Sequence, residues 1–259
     1  MPIQQPSITP MLFASGPRRL MGVLHAAAKG SRRGVGVLIC NQVGPDYGEY
    51  YKTGRMLIGM LVAKSFDCLR FDYTGCGDSE GGCQDASVQQ WLIDTASALH
   101  LLKEQSGCST VCLCGFGFGG LLAAAYAARS PDVESLLLWD PVVDGATYCR
   151  QLRKRHRQWL RGSFVKAERG DKQFQAMGFA ATPDLEEEMG QLKLEGLACC
   201  HARRVFTVTQ DGSADQGLLE THFGRQGLGV QSCSMPPDAL PLRPMRAATA
   251  WLGGNVARG

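Results

Sequence analysis

Net charge is nearly absent from this chain: 27 lysines and arginines stand against 24 aspartates and glutamates, leaving +3. A balance so close to neutral gives no field that would hold a polyphosphate backbone, which excludes nucleic acid as the default partner. Histidine is scarce, at five residues, and none follows His222. There are eleven cysteines, an odd number with no C-x-x-C spacing, which argues against a paired disulfide framework. The start, Met1-Pro2-Ile3-Gln4-Gln5, lacks a basic segment leading into an apolar one. These features lead us to expect free thiols in a reducing cytoplasm. Long apolar runs are missing too, apart from one window. Residues 109–128 carry no charge, but their four glycines and strand-like first third argue against a membrane span.

What the chain does have is apolar material: 44% of 259 residues, enough to fill the core of one large α/β domain and too much for a disordered chain. Met11 to Ala14 and Leu20 to Ala26, separated by Gly16-Pro17-Arg18-Arg19, suggest a hairpin at a sheet edge. Gly34 to Cys40 is a continuously apolar run of strand length, as expected for a strand covered on both faces. A helix follows over Tyr51 to Lys64, with Met56, Leu57, Met60, Leu61 and Ala63 as its apolar repeat. It leads to a strand at Phe66 to Asp72. Beyond the glycine-rich loop Tyr73 to Gly82, a helix is expected over Ala86 to Gln105, then a strand at Ser109 to Cys114, a helix from Phe118 to Arg129 and a strand at Ser135 to Trp139. Such alternation predicts a doubly wound, mostly parallel sheet with its crevice at the carboxyl ends of the strands. The rhythm breaks at Gly145, reads as helices without strands, and resumes at Val205 to Thr209 and Val230 to Met235. We therefore expect a core of residues 1–144 and 203–259 with a helical cap inserted at 145–202, and a closing helix near Pro244 to Leu252.

Three segments carry a family resemblance: Arg70-Phe71-Asp72-Tyr73-Thr74-Gly75-Cys76-Gly77-Asp78-Ser79-Glu80-Gly81, the turn at Gly115 to Gly120, and Leu136-Leu137-Leu138-Trp139-Asp140-Pro141-Val142-Val143-Asp144-Gly145. Their order and spacing resemble the α/β-hydrolases, and more narrowly the exosortase-associated and serine-aminopeptidase-like hydrolases of bacteria. The resemblance implies an α/β-hydrolase fold and hydrolysis of esters or thioesters without a cofactor. It also implies a G-x-S-x-G elbow, a strained turn that lifts a serine oxygen clear of the sheet. Here the elbow is Gly115-Phe116-Gly117-Phe118-Gly119, so the nucleophile's position holds Gly117, which has no side chain to acylate. The acid of the triad falls at Asp211, whose alternative is a turn aspartate in Asp211-Gly212. The histidine belongs after the last strand, where Met235 to Arg243 contains none. The resemblance further places the oxyanion-hole donors at the N–H of Phe118 and at Gln42 or Val43, which would leave a bound carbonyl or carboxylate something to bind.

No other residue is identified in the sequence for the missing roles. Cys112 and Cys114 alternate onto one face of their strand and read as buried structural thiols. His25 falls in a predicted edge strand and His100 on a surface helix. Cys199, Cys200 and His201 are adjacent and cannot all converge on one tetrahedral ion, so no metal is expected. Asp72 and Asp140 read as loop anchors at strand ends. In the cap, Arg150, Arg153, Lys154, Arg155, Arg157 and Arg161 occur with no acid among them, while Leu152, His156, Trp159 and Leu160 share one face. His156 and Trp159 are expected near the pocket. The basic residues form either a rim for an anionic carrier or protein, or a solvated face balanced by Asp184, Glu186, Glu187 and Glu188. Three functions remain open: a pseudo-hydrolase that binds a small acyl or carboxylate-containing ligand, a genuine ester or thioester hydrolase captured as a serine-to-glycine variant, and an interaction module docking through the basic helix.

Overall fold

The computed structural model describes residues 5–163, 174–236 and 240–254 of the chain. Eight strands form one sheet: β1 (Ser7–Ser15), β2 (Arg18–Ala26), β3 (Val35–Cys40), β4 (Asp67–Phe71), β5 (Thr110–Phe116), β6 (Val133–Trp139), β9 (Arg204–Gln210) and β10 (Gly229–Met235), in the spatial order β1-β2-β4-β3-β5-β6-β9-β10. β2 runs antiparallel to both β1 and β4, and every other pairing is parallel. His25 therefore lies in the second strand, inside the sheet, and the edge position belongs to β1.

Strands β3, β5 and β6 are buried and apolar over most of their length because helices cover both faces, whereas the edge strand β10 is largely exposed. On one face lie α2 (Val88–Ser106), α3 (Phe118–Ala127) and the inner side of α6 (Ala214–Arg225), packed on Leu38, Leu69, Leu113, Leu136 and Leu138. On the other lie α1 (Tyr47–Ala63) and α7 (Leu242–Gly253), packed on Val37, Ile39, Cys112, Cys114 and Trp139. Cys112 and Cys114 thus share a face, as strand alternation required. Helix α2 starts where the Ser87 side chain accepts the Gln90 N–H and stops at left-handed Gly107, so its ends are satisfied locally. The inner face of α1 is Gly54, Leu57, Ile58 and Leu61, while Met56 is 41% exposed. The expected stripe was rotated because 56–62 is apolar almost all round, which leaves the period ambiguous.

Strand β3 is followed in sequence by its neighbour β4 and then, across the sheet, by its other neighbour β5. This reversal of direction opens a crevice at the carboxyl ends of β3 and β5. Between β6 and β9 the chain forms α4 (Gly145–Gly162), a short antiparallel ribbon of β7 (Phe174–Ala176) and β8 (Phe179–Ala181), α5 (Pro183–Gln191) and a 3₁₀ turn at Leu194–Gly196. The stretch expected to be purely helical therefore contains a hairpin. Three-residue strands turning at Met177-Gly178, with φ +49° and +92°, are too short to leave a period-2 signal. Residues 164–173 of the expected cap, and 1–4, 237–239 and 255–259 of the expected core, lie outside the described residues, so part of the stretch 235–243 read for the triad histidine does too.

Candidate functional site

The crevice is a cavity of about 1160 Å³ over the β5–α3 turn, walled by α4, α6 and the segments 140–144 and 193–199. At its floor, Gly117 joins β5 to α3 with φ +52° and ψ −121°, a conformation that costs a residue with a Cβ about 1–3 kcal/mol. Its N–H donates to the Trp139 carbonyl at 3.0 Å and its C=O accepts from Val142 N–H at 2.9 Å, which ties the turn to the end of β6. Gly119 has no room for a Cβ, which would strike the carbonyl oxygens of Cys40 and Asn41, so helix and strand meet as closely as the sequence motif requires.

The space beyond Gly117 is filled. A Cβ on Gly117 would fall on Oε1 of Gln42, with Cδ of Gln42 at 2.8 Å. That Oε1 accepts the Phe118 N–H at 2.6 Å, so the donor expected to stand open for a carbonyl is already satisfied from within the chain. The rest of the carboxamide is also fixed: Nε2 of Gln42 donates to the Tyr148 hydroxyl at 2.7 Å, and that hydroxyl donates to the Val43 carbonyl at 2.9 Å. The Tyr148 ring stacks on Phe118 at 5.5 Å, and Gln42 is 2% exposed. Every hydrogen-bonding atom of this buried carboxamide and hydroxyl has a partner, so the arrangement resists displacement.

Two carboxylates flank the floor. Asp140, in the left-handed region at φ +44°, accepts from the Tyr50 hydroxyl at 3.0 Å. Asp215 begins α6, and burial together with the Asp140 charge pushes its pKa up. Asp211, the expected acid, is exposed in the turn after β9, with its N–H on the Met235 carbonyl; the cavity wall takes Asp215 instead. The histidine in the wall is His222. It lies seven residues along α6 from Asp215, about 10 Å along the helix axis, against Gln226 at 2.9 Å. Burial and the Arg225 charge pull its pKa down.

His156 and Trp159 are not brought to the cavity. They stack on each other at 5.9 Å, and His156 accepts the Met177 N–H of the hairpin at 3.2 Å, while Trp159 is 47% exposed. Helix α4 instead presents Thr147, Tyr148, Gln151 and Arg155 to the cavity, a stripe one step round from the apolar one. Its basic residues are partly neutralised: Arg155 grips Asp46 through two bonds of 2.6 Å, and Arg153 pairs with Glu186. Of the four acids expected to balance the helix, Glu186 does so; Glu188 accepts the Val88 N–H and Glu187 accepts from Gln191.

The thiols buried in β3 and β5 are held in the protonated form. Burial pushes Cys40 up to about 12 and Cys112 up to about 11, and it raises Cys114 in the same direction. Cys199 is exposed, and among the described residues no group of three or more His, Cys, Asp or Glu is placed to hold a metal ion. Among the same residues no helix is long and apolar enough to cross a membrane.

Comparison with known proteins agrees with the fold. A family model described as serine aminopeptidase, S33, matches residues 38–180. Est1E from Butyrivibrio proteoclasticus, solved with ferulic acid bound, superimposes with a TM-score of 0.74 at 15% identity, covering 96% of this chain and 100% of that one. An esterase of Pyrococcus furiosus gives a TM-score of 0.68 at 14% identity, over 95% and 90% of the two chains. A structure from an analysis of two fungal esterases from Rhizomucor miehei gives 0.62 at 14%, over 99% and 86%. No curated protein matches the chain in sequence. The fold is that of the α/β-hydrolases.

Proposed function

The chain belongs to the serine aminopeptidase, S33, family of α/β-hydrolases, and from that premise we propose that it binds a small acyl or carboxylate-containing ligand without hydrolysing it. One observation carries the proposal: where the family places an attacking oxygen, this chain has Gly117, with the Gln42 carboxamide seated against it and on the Phe118 N–H. Nucleophile and base act as a unit, and losing either removes most of the rate. A free oxyanion hole alone still accelerates by about 10³–10⁴ over water. With its Phe118 donor committed to Gln42, even that remainder is reduced. The buried carboxamide also weighs against a hydrolase captured by a single serine-to-glycine exchange, because a serine at 117 and Gln42 as it stands compete for one space.

The cavity remains as a binding site, walled by Tyr50, Val142, Val143, Leu194 and Leu218, with polar groups at its floor and rim. The bound ferulic acid of Est1E makes hydroxycinnamates a natural first probe. The test pairs two measurements on the unaltered protein: thermal stability against ferulic acid concentration, and release of p-nitrophenol from a short acyl ester. A saturable rise in Tm with hydrolysis at the buffer rate supports the proposal. Turnover well above the buffer rate overturns it.

A further inference from the structure

The sheet face under α1 holds a second polar niche, none of whose residues, His25, Tyr51, Arg55 and Arg70, lines the cavity. Val23 of β2 lies opposite Arg70 of β4, and His25 is two residues further along, so strand alternation puts His25 and Arg70 on one face. From α1, the Tyr51 ring lies under the Arg70 guanidinium at 5.0 Å, and Arg55 follows one turn later. Both arginine charges act on His25, which together with burial pulls its pKa down to about 4. Among the described residues neither Arg55 nor Arg70 forms an ion pair. The acid on this side, Asp72, is taken by the Tyr47 hydroxyl at 2.7 Å and the Asp78 N–H at 3.2 Å.

Among the described residues, two buried atoms in the niche have no partner: Nε2 of His25, on a residue 9% exposed, and Nε of Arg70. Buried donors are seldom left unpaired, and two guanidinium groups without a counter-charge attract whatever anion fits between them. On β1, Ile8, the residue opposite His25, is 67% exposed, and on α1 Arg55 is exposed, so both flanks of the niche border solvent. We propose that His25, Arg55 and Arg70 form an anion site that takes a phosphate or carboxylate group, with the neutral imidazole donating from Nε2 and Arg70 from Nε. Arg55 supplies charge at the rim, and Tyr51 holds the Arg70 plane. The site is independent of the cavity at Gly117.

Inorganic phosphate is the probe, titrated at constant ionic strength with chloride as the balancing ion while the imidazole resonances are followed by NMR; His25→Gln assigns the His25 signal. The niche predicts a saturable shift of that signal with phosphate and none with chloride, and a rise in the pH at which His25 titrates. Arg55→Gln, at the helix surface, weakens phosphate binding about tenfold, and Arg70→Gln weakens it further. Circular dichroism checks that each variant is folded, and Arg55→Gln carries the test if Arg70→Gln does not fold. A non-saturable shift, an equal response to chloride, or unchanged affinity in Arg55→Gln overturns the proposal and leaves the niche to water.

Discussion

Replacing Gly117 by serine tests the geometry at the elbow quantitatively. A Cβ at φ +52° costs about 1–3 kcal/mol of backbone strain. The same atom displaces the Gln42 carboxamide, and releasing the buried Phe118 N–H from its 2.6 Å bond costs about 1–3 kcal/mol more. Gly117→Ser should therefore lose about 4 kcal/mol, and at roughly 3 °C per kcal/mol for a domain of this size its Tm should fall by about 12 °C. Gln42→Ala alone should cost about 1–2 kcal/mol, through the same hydrogen bond and its link to Tyr148. Because both changes remove one shared bond, and the second also removes the clash, the double variant should be more stable than the sum by about 1–2 kcal/mol. Urea denaturation of the four proteins measures this coupling. Additivity within about 0.5 kcal/mol would refute the placement of Gln42 against the elbow. None of the variants should hydrolyse acyl esters, since the histidine in the cavity wall, His222, is engaged with Gln226 at the end of its own helix.

Three further outcomes follow from the buried polar groups. His25, held near 4 instead of 6.5, binds fewer protons folded than unfolded between those values, so stability rises with pH across that window. Allowing for solvent screening, about 2 kcal/mol should be lost on going from pH 6.5 to 4, and His25→Gln should flatten this slope in denaturation measured against pH. Asp94, fully buried in α2, accepts from Ser15 Oγ, the Thr74 N–H and hydroxyl, and Gln90 Nε2. Asp94→Ala strands these donors and should cost about 3–4 kcal/mol in urea, against under 1 kcal/mol for Arg155→Ala at the more exposed Asp46 pair. Iodoacetamide at pH 8 should alkylate Cys199 in the folded protein and spare Cys40, Cys112 and Cys114, as read by peptide mass.

The parts of the fold that were legible in the sequence are those whose signal is local. β3, β5 and β6 are short runs that are apolar over most of their length, which few structures other than a covered parallel strand produce. The turn chemistry around Gly117 and Gly119 likewise announces itself. The stripe of α1 was misplaced because its apolar residues go nearly all the way round, and the β7–β8 ribbon was missed because three residues carry no period. At the site, the glycine turn at Gly117 was legible but the side chain seated against it was not. Gln42 lies 75 residues earlier, and nothing in its neighbours says that its side chain, and not its backbone, meets the elbow. His156 was expected in the cavity because it shares the apolar face of α4, yet that face also serves the hairpin that supplies the Met177 N–H. Asp215 and His222 gave no signal, since α6 carries two glycines and its apolar residues divide between buried Leu219 and Phe223 and exposed Leu218.

The central claim is that no covalent acyl chemistry occurs at the β5–α3 turn. Incubation of the unaltered protein with a fluorophosphonate and with an activated acyl ester, followed by intact mass and peptide mapping, reads this directly. The account predicts no burst and no adduct on any cavity residue. A stoichiometric adduct in the cavity, formed before steady hydrolysis, would contradict it.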